Sequence, residues 1–389
     1  MRFKGLFIAV ACITAFGIGL WVGFLPPGNP DLHAIKSFYT PSRGITLHFV
    51  QGKHTLLFAT LTRLRALQLD TDGTLHERQV SIEGRPAFGP NLSFPEFSLT
   101  DESLLVPMRL YGIGLPSSTG RTMSEWLWLW AFNVKRMWLH PIVQCDEAMP
   151  VSYVAVVRQG SVPVFSCVPA DATAWGEAKD LNPMLLNLRD GSTKPIERIT
   201  HSRIAMPYMI LLNDGYVAIE SSESKRWSQG PIKCYLAHNG RKVAENVDQI
   251  LGATPDLKWI FFPKTRVQSV SGGVASKDIC AYNPTTRELR TLVRDWSGGK
   301  FRVSQKSNRF GFLSRQPRAR TNEGPHPFDA VKVFDLNGNV IEQHPLKQPI
   351  KSSTCDWDPD WRLLAYFDGP CLKIMSLEGR LVQEVPLDH

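Results

Sequence analysis

Residues 222–231, 264–277 and 315–328 gather cations: Lys225, Arg226, Lys264, Arg266, Lys277, Arg315, Arg318 and Arg320. Only Glu223 and Glu323 oppose them, and Trp227 and His326 stand among them. Guanidinium forks match the paired oxygens of carboxylates and phosphates, and an exposed indole adds an apolar face. The pattern predicts a surface for an anionic ligand, either an acidic glycan, a phosphate group or an acidic protein patch. Its binding residues would be Arg226, Trp227, Arg266, Arg315, Arg318, Arg320 and His326. The plainer reading is solvated loops whose cations meet nothing in particular.

Other constellations are weaker. Asp356, Asp358 and Asp360 alternate as in a calcium loop, but the glycine and distal glutamate of such a loop are missing. A turn in which aspartate caps the backbone accounts for them better. His48 and His54 flank a hairpin and would face each other, yet two histidines without a third ligand make no metal site. Gly112-Ile113-Gly114 lacks the third glycine of a dinucleotide loop and is followed by Pro116. Ser222 and Lys225 form an S-x-x-K without its partner motifs. No nucleophile elbow, zinc-protease helix or phosphate-binding loop is present, and nothing asks for a cofactor. An excess of 44 Lys+Arg over 36 Asp+Glu gives a net charge of +8, a mild bias rather than a nucleic-acid footprint.

The elements that would position these residues are short strands. Apolar runs separated by Asp-Gly and Asn-Gly turns recur from Ile45 to Leu387, and the 28 Pro and 29 Gly are spread along the chain. The third-to-fourth-strand turns fall near residues 73, 135, 191, 240, 286, 338 and 379. A spacing of roughly 40–60 residues predicts one all-β domain, a seven-bladed β-propeller, with six or eight blades as alternatives. Trp126, Trp128, Trp130 and Phe132 alternate with Leu127 and Leu129, so that strand must be covered on both faces. In such meanders the second-to-third-strand loops share one face, which is where the cations lie. The long loops belong to the second to sixth repeats. An enzyme of this shape would show His, carboxylate and Arg side chains converging where the first strands meet, and these strands carry few histidines.

The segment Trp357-Asp358-Pro359-Asp360-Trp361-Arg362-Leu363-Leu364-Ala365-Tyr366 resembles the W-S-P-D-G-K-x-[IL]-A-[FY] pattern of TolB-type, WD40-like propeller repeats. Thr254-Pro255-Asp256-Leu257-Lys258-Trp259-Ile260-Phe261 is a second, weaker match, and in the two segments Trp361 and Leu257 replace the glycine. The resemblance implies the fold. It does not choose among scaffold, binding protein and enzyme.

Residues 1–25 form a separate unit. Arg2 and Lys4 precede an uncharged run, residues 5–25, close to the ~20 residues that cross a bilayer as a helix. The cations place the N-terminus in the cytoplasm and the propeller, residues 45–389, in the periplasm or outside the cell, beyond a polar linker at 26–44. The expectation is a single-pass protein of a bacterial inner membrane. The alternative is secretion after cleavage, because Ala9-Val10-Ala11 precedes Cys12 as in a lipoprotein signal. In an oxidising compartment Cys355 and Cys371 are candidates for a disulfide, as are Cys145 and Cys167, unless they are buried thiols. Function reads as binding or scaffolding, with a protein or anionic glycan as partner. The alternative is a propeller lyase or hydrolase acting on an envelope carbohydrate or peptide.

Overall fold

A short strand that is apolar on both faces has to be covered on both. The computed structural model shows how this chain does it. It describes residues 46–50, 54–59, 64–70, 73–83, 97–100, 103–113, 123–145, 148–150, 161–166, 183–196, 204–221, 233–266, 276–296, 298–304, 306–315, 327–350 and 354–387. Among these residues there are strands and turns and no helix. Six sheets are four-stranded antiparallel meanders in chain order. The first consists of Thr46–Val50, Thr55–Ala59, Leu64–Leu69 and Leu75–Gln79, and the seventh of Cys355–Asp358, Leu363–Asp368, Cys371–Ser376 and Leu381–Pro386.

In the first, fifth and seventh sheets burial falls from the first strand to the last. In the seventh, Cys355–Asp358 is buried throughout, while the closing strand Leu381–Pro386 buries only Val385. The second strands are buried on both faces: Leu56, Leu57 and Phe58 in the first sheet, Ile260, Phe261 and Phe262 in the fifth. From the fourth sheet onward, each sheet packs its apolar side chains against the next. Phe261, Phe301, Phe310, Phe312 and Phe334 fill the space between the fifth and sixth sheets. Leu313, Val331, Trp357 and Leu364 do the same between the sixth and seventh. Leu47, Phe49, Phe58 and Leu67 of the first sheet join Ala365, Leu372, Ile374 and Val385 of the seventh in one core. The two ends of the chain's strand series therefore meet. Gly311 is required at one such junction: a Cβ there would lie 2.5 Å from the Lys332 carbonyl oxygen and 2.7 Å from the Trp357 ring.

Several expectations need correction. Thr74–Ile82, which follows the Asp70–Gly73 turn and reads in the sequence as the fourth strand of the first repeat, is not one strand. It breaks at Val80, and Ser81–Ile82 pairs in parallel with Trp138–Cys145, so the second sheet has five strands. The added strand covers an edge that would otherwise be open. Cys355 and Cys371 are free thiols on the first and third strands of one sheet. Two strand spacings amount to about 10 Å, beyond the roughly 7 Å between Cα atoms that a disulfide spans. Residues 1–45 lie outside the described residues, and so does Cys167. The described residues contain no helix long and apolar enough to cross a membrane.

Candidate functional site

His48 belongs to the first strand of the first sheet, Arg302 to that of the sixth (Phe301–Val303), and Asp356 to that of the seventh. Each comes from an unremarkable apolar strand, and closure of the first sheet on the last brings them together. Arg302 donates Nε–H to Asp356 Oδ1 at 2.9 Å and Nη2–H to Oδ2. The Phe49 amide donates to Oδ2 at 2.8 Å. Arg302 Nη2 also lies 3.2 Å from His48 Nδ1. Lys300, 43% exposed, brings its ammonium to 4.0 Å from Oδ1. Three ionisable side chains thus converge on one carboxylate.

The electrostatics follow from burial. Asp356 is fully buried, which disfavours its charge, but Arg302 and then Lys300 outweigh that and hold its pKa below the ordinary 3.8. Burial, and then Arg302, push His48 well below 6.5, so at neutral pH its ring is uncharged and its Nδ1 accepts from the guanidinium. The 3.8 Å approach of His48 to Asp356 is accordingly not an ion pair. The sequence reading paired His48 with His54. Instead His48 stands opposite Leu57 and turns to the carboxylate, while His54 stacks on Trp361 at 5.0 Å.

The three alternating carboxylates diverge. Asp356 takes the buried arginine, Asp360 accepts from the Ser304 hydroxyl, and Asp358 Oδ1 accepts the amides of Asp360 and Trp361, both at 2.8 Å. Asp358 is thus the turn cap the sequence suggested. Leu257, in a glycine slot of the repeat pattern, does take a left-handed φ of +56°, but in the seventh sheet Arg362 does so, one residue beyond Trp361. Asp358 Oδ2 is buried without a partner among the described residues, and burial, with help from Asp360, raises its pKa from 3.8 to about 6. A carboxyl with a raised folded-state pKa favours folding fully below its unfolded value, and the contribution disappears as pH rises through the folded value. Wild-type protein is therefore expected to lose on the order of 2 kcal/mol from this group between pH 4 and 7, and Asp358→Asn to lack that loss. Denaturant midpoints of the two proteins should agree near pH 4 and separate by pH 7; equal separation at both would refute the assignment.

Of the loop cations, Lys264, Arg266, Lys277 and Arg315 lie in the described residues. Arg266 forms a fork with Asp278 (Nε to Oδ2 2.9 Å, Nη2 to Oδ1 2.7 Å) and reaches Asp295 at 3.2 Å. Lys277 meets Asp248 at 3.0 Å. These acids come from neighbouring strands and loops, which a reading of each cationic loop by itself missed. The Arg315 guanidinium lies 4.5 Å from the centre of the Phe328 ring. Arg226, Trp227, Arg318, Arg320 and His326 lie outside the described residues.

No protein-family model matches the chain, and no curated protein does. Among solved structures it is similar to an oligogalacturonate lyase in complex with manganese, at 14% identity over 88% of this chain and 90% of that one, with a TM-score of 0.49. A periplasmic gluconolactonase of Pseudomonas aeruginosa follows at 12% identity, covering 88% and 95%, with a TM-score of 0.47. A protein of Agrobacterium tumefaciens assigned as TolB gives 11%, 85% and 92%, with a TM-score of 0.37. At these levels none of their activities transfers to this chain. The strand order, and the packing of the first sheet on the last, make it an all-β protein of propeller type.

Proposed function

We propose that the chain is a membrane-anchored, extracytoplasmic, seven-bladed propeller that serves as a binding or scaffold module, and that its long-loop face takes an anionic glycan or an acidic protein patch. The observation that carries this reading is the placement of Arg266 and Arg315. Each stands where the second strand of its sheet runs out into a long loop, Arg266 just after Ile260–Thr265 and Arg315 at the end of Arg309–Arg315. Meander topology turns both loops to one face. The same loops continue into Arg318, Arg320 and His326. The inner-strand charges answer one another inside the protein, and Arg266 keeps its place at the strand end through Asp278 and Asp295.

The test has two arms. Full-length protein should stay with membranes through a carbonate wash and leave them when residues 1–25 are deleted. Retention on a polygalacturonate or heparin resin should need at least twofold less salt for elution once Arg315, Arg318 and Arg320 are all changed to Ser. Unchanged retention and salt dependence would end the binding proposal; carbonate release of the full-length protein would end the anchor. A catalytic propeller is the second reading, favoured by the convergence of three ionisable groups at Asp356. The burial of His48, Arg302 and Asp356, each under 10% exposed, counts against it because substrate has to touch a catalytic group.

A further inference from the structure

The opposite face, that of the third-to-fourth-strand turns, holds a cavity of about 540 Å³ between the fourth and fifth sheets. Two hairpin turns make it. In the fourth sheet Cys234–His238 turns through Asn239 and Gly240, with φ values of +51° and +72°, into Arg241–Glu245. Asn-Gly is the residue pair that this tight turn demands. In the fifth sheet Lys277–Asn283 turns into Glu288–Trp296, with the Asn283 side chain accepting the amides of Thr285 and Thr286. Each turn taken alone is ordinary. Packing of the two sheets, through Leu236, Ala244, Ile260 and Tyr282, sets them side by side.

The lining is one-sided in charge. Arg241, Lys242 and Arg287 line the cavity, and no carboxylate does. Lys242 is engaged with Glu245 at 2.7 Å. Arg241 and Arg287 have no carboxylate partner among the described residues, and both are exposed. His238 also lines the cavity, is only 9% exposed, and bonds through Nδ1 to the Tyr282 hydroxyl at 2.8 Å. Its Nε2 is buried and unpartnered among the described residues. In the tautomer in which the tyrosine donates to Nδ1, the ring proton sits on Nε2 as a donor without an acceptor. The Asn239 side chain is already spent: its Oδ1 accepts from the Tyr216 amide at 2.8 Å and its Nδ2 donates to the Asp214 carbonyl, so it fixes the turn. Gly215 is what permits that bridge, since a Cβ there would overlap Asn239. Beside the donors stand Leu289, 42% exposed, and Val243.

Two free guanidinium forks and an unanswered imidazole N–H, with an apolar wall alongside, ask for a compact anion carried on an apolar body. We propose that this cavity binds a phosphate monoester, with Arg241, Arg287 and His238 on the phosphate oxygens and Leu289 and Val243 against the organic part. A buried donor left without an acceptor is costly, and an oxygen of the ligand supplies one. The volume falls within the roughly 300–1,000 Å³ of small-molecule sites. The proposal is independent of the long-loop face, which lies on the other side of the sheets.

The experiment titrates the full chain with inorganic phosphate and with phenyl phosphate by calorimetry. Phenyl phosphate should bind at least fivefold more tightly than inorganic phosphate, because only it uses the apolar wall. Arg241→Gln with Arg287→Gln should weaken phenyl phosphate at least tenfold while leaving the melting temperature in place, since both side chains are exposed. His238→Gln should weaken it as well, and the Arg315, Arg318 and Arg320 triple change should not. Sedimentation with vesicles of phosphatidate in phosphatidylcholine separates the sources: arginine-dependent co-sedimentation assigns a lipid headgroup, and phenyl phosphate binding without it assigns a free phosphorylated molecule. No saturable binding of either probe, or binding indifferent to the double change, would overturn the site.

Discussion

Asp356→Ala is expected to destabilise the protein by about 3–5 kcal/mol, because it strands Arg302 as an uncompensated charge in a sealed interior. Arg302 is 5% exposed, and the Phe49 amide loses its acceptor in the same step. Replacing Asp356, Arg302 and His48 together by Leu, Met and Leu should cost far less, since no buried charge remains and the volume is kept. The pH dependence has a defined sign. A carboxyl whose pKa is lowered on folding stabilises above its unfolded value and ceases to as pH falls through its folded value. The difference between wild type and Asp356→Ala should therefore be full at neutral pH and shrink below the ordinary 3.8. Denaturant midpoints for the three proteins at neutral and acidic pH are the measurement. If the triple replacement is as damaging as the single one, the trio acts through shape and not through charge.

What the sequence made legible is whatever is encoded within a few residues. The Asn239-Gly240 and Asp335–Asn339 turns are local bargains between φ and side-chain acceptors, so their dipeptides announced them. The last repeat was readable for the same reason: Asp358 caps the turn that its own next three residues form. Sites built by closure were not readable. Arg302 is 254 residues from His48 and 54 from Asp356, and nothing near any of the three shows which strands will be neighbours in the ring. The cavity beneath Arg241 and Arg287 has the same origin, two ordinary hairpin turns juxtaposed by packing of successive sheets. A signal was available for the closure cluster. Arg302 and Asp356 sit mid-strand at positions flanked by Phe301, Val303, Cys355 and Trp357, and a charge within a buried strand requires a partner. The Thr74–Ile82 run was misjudged for a different reason: the polar stretch His76–Gln79 hides the shift of apolar phase between Leu75 and Val80, where the chain leaves the first sheet.

The same strand carries the largest packing effect. Trp357→Ala should cost about 3–5 kcal/mol, the usual loss for a fully buried large aromatic. Its indole is 0% exposed, sits over the space that Gly311 leaves open, and donates Nε1–H to the Lys300 carbonyl at 2.9 Å. That bond fixes the entry to Phe301–Val303, the strand that delivers Arg302. Truncation should therefore be felt beyond the void. Amide protection of Phe49, whose N–H is anchored on Asp356, should fall in Trp357→Ala more than that of Phe262, which lies in the fifth sheet away from the closure. Trp357→Phe separates the contributions, because it keeps most of the ring volume and loses the N–H, at about 1–2 kcal/mol. Because Asp356 and Trp357 are neighbours in one junction, the two alanine changes should combine to less than the sum of their separate effects. Strict additivity, with Phe49 protection unchanged in Trp357→Ala, would mean that the indole fills space between the sixth and seventh sheets without organising the charges that close the ring.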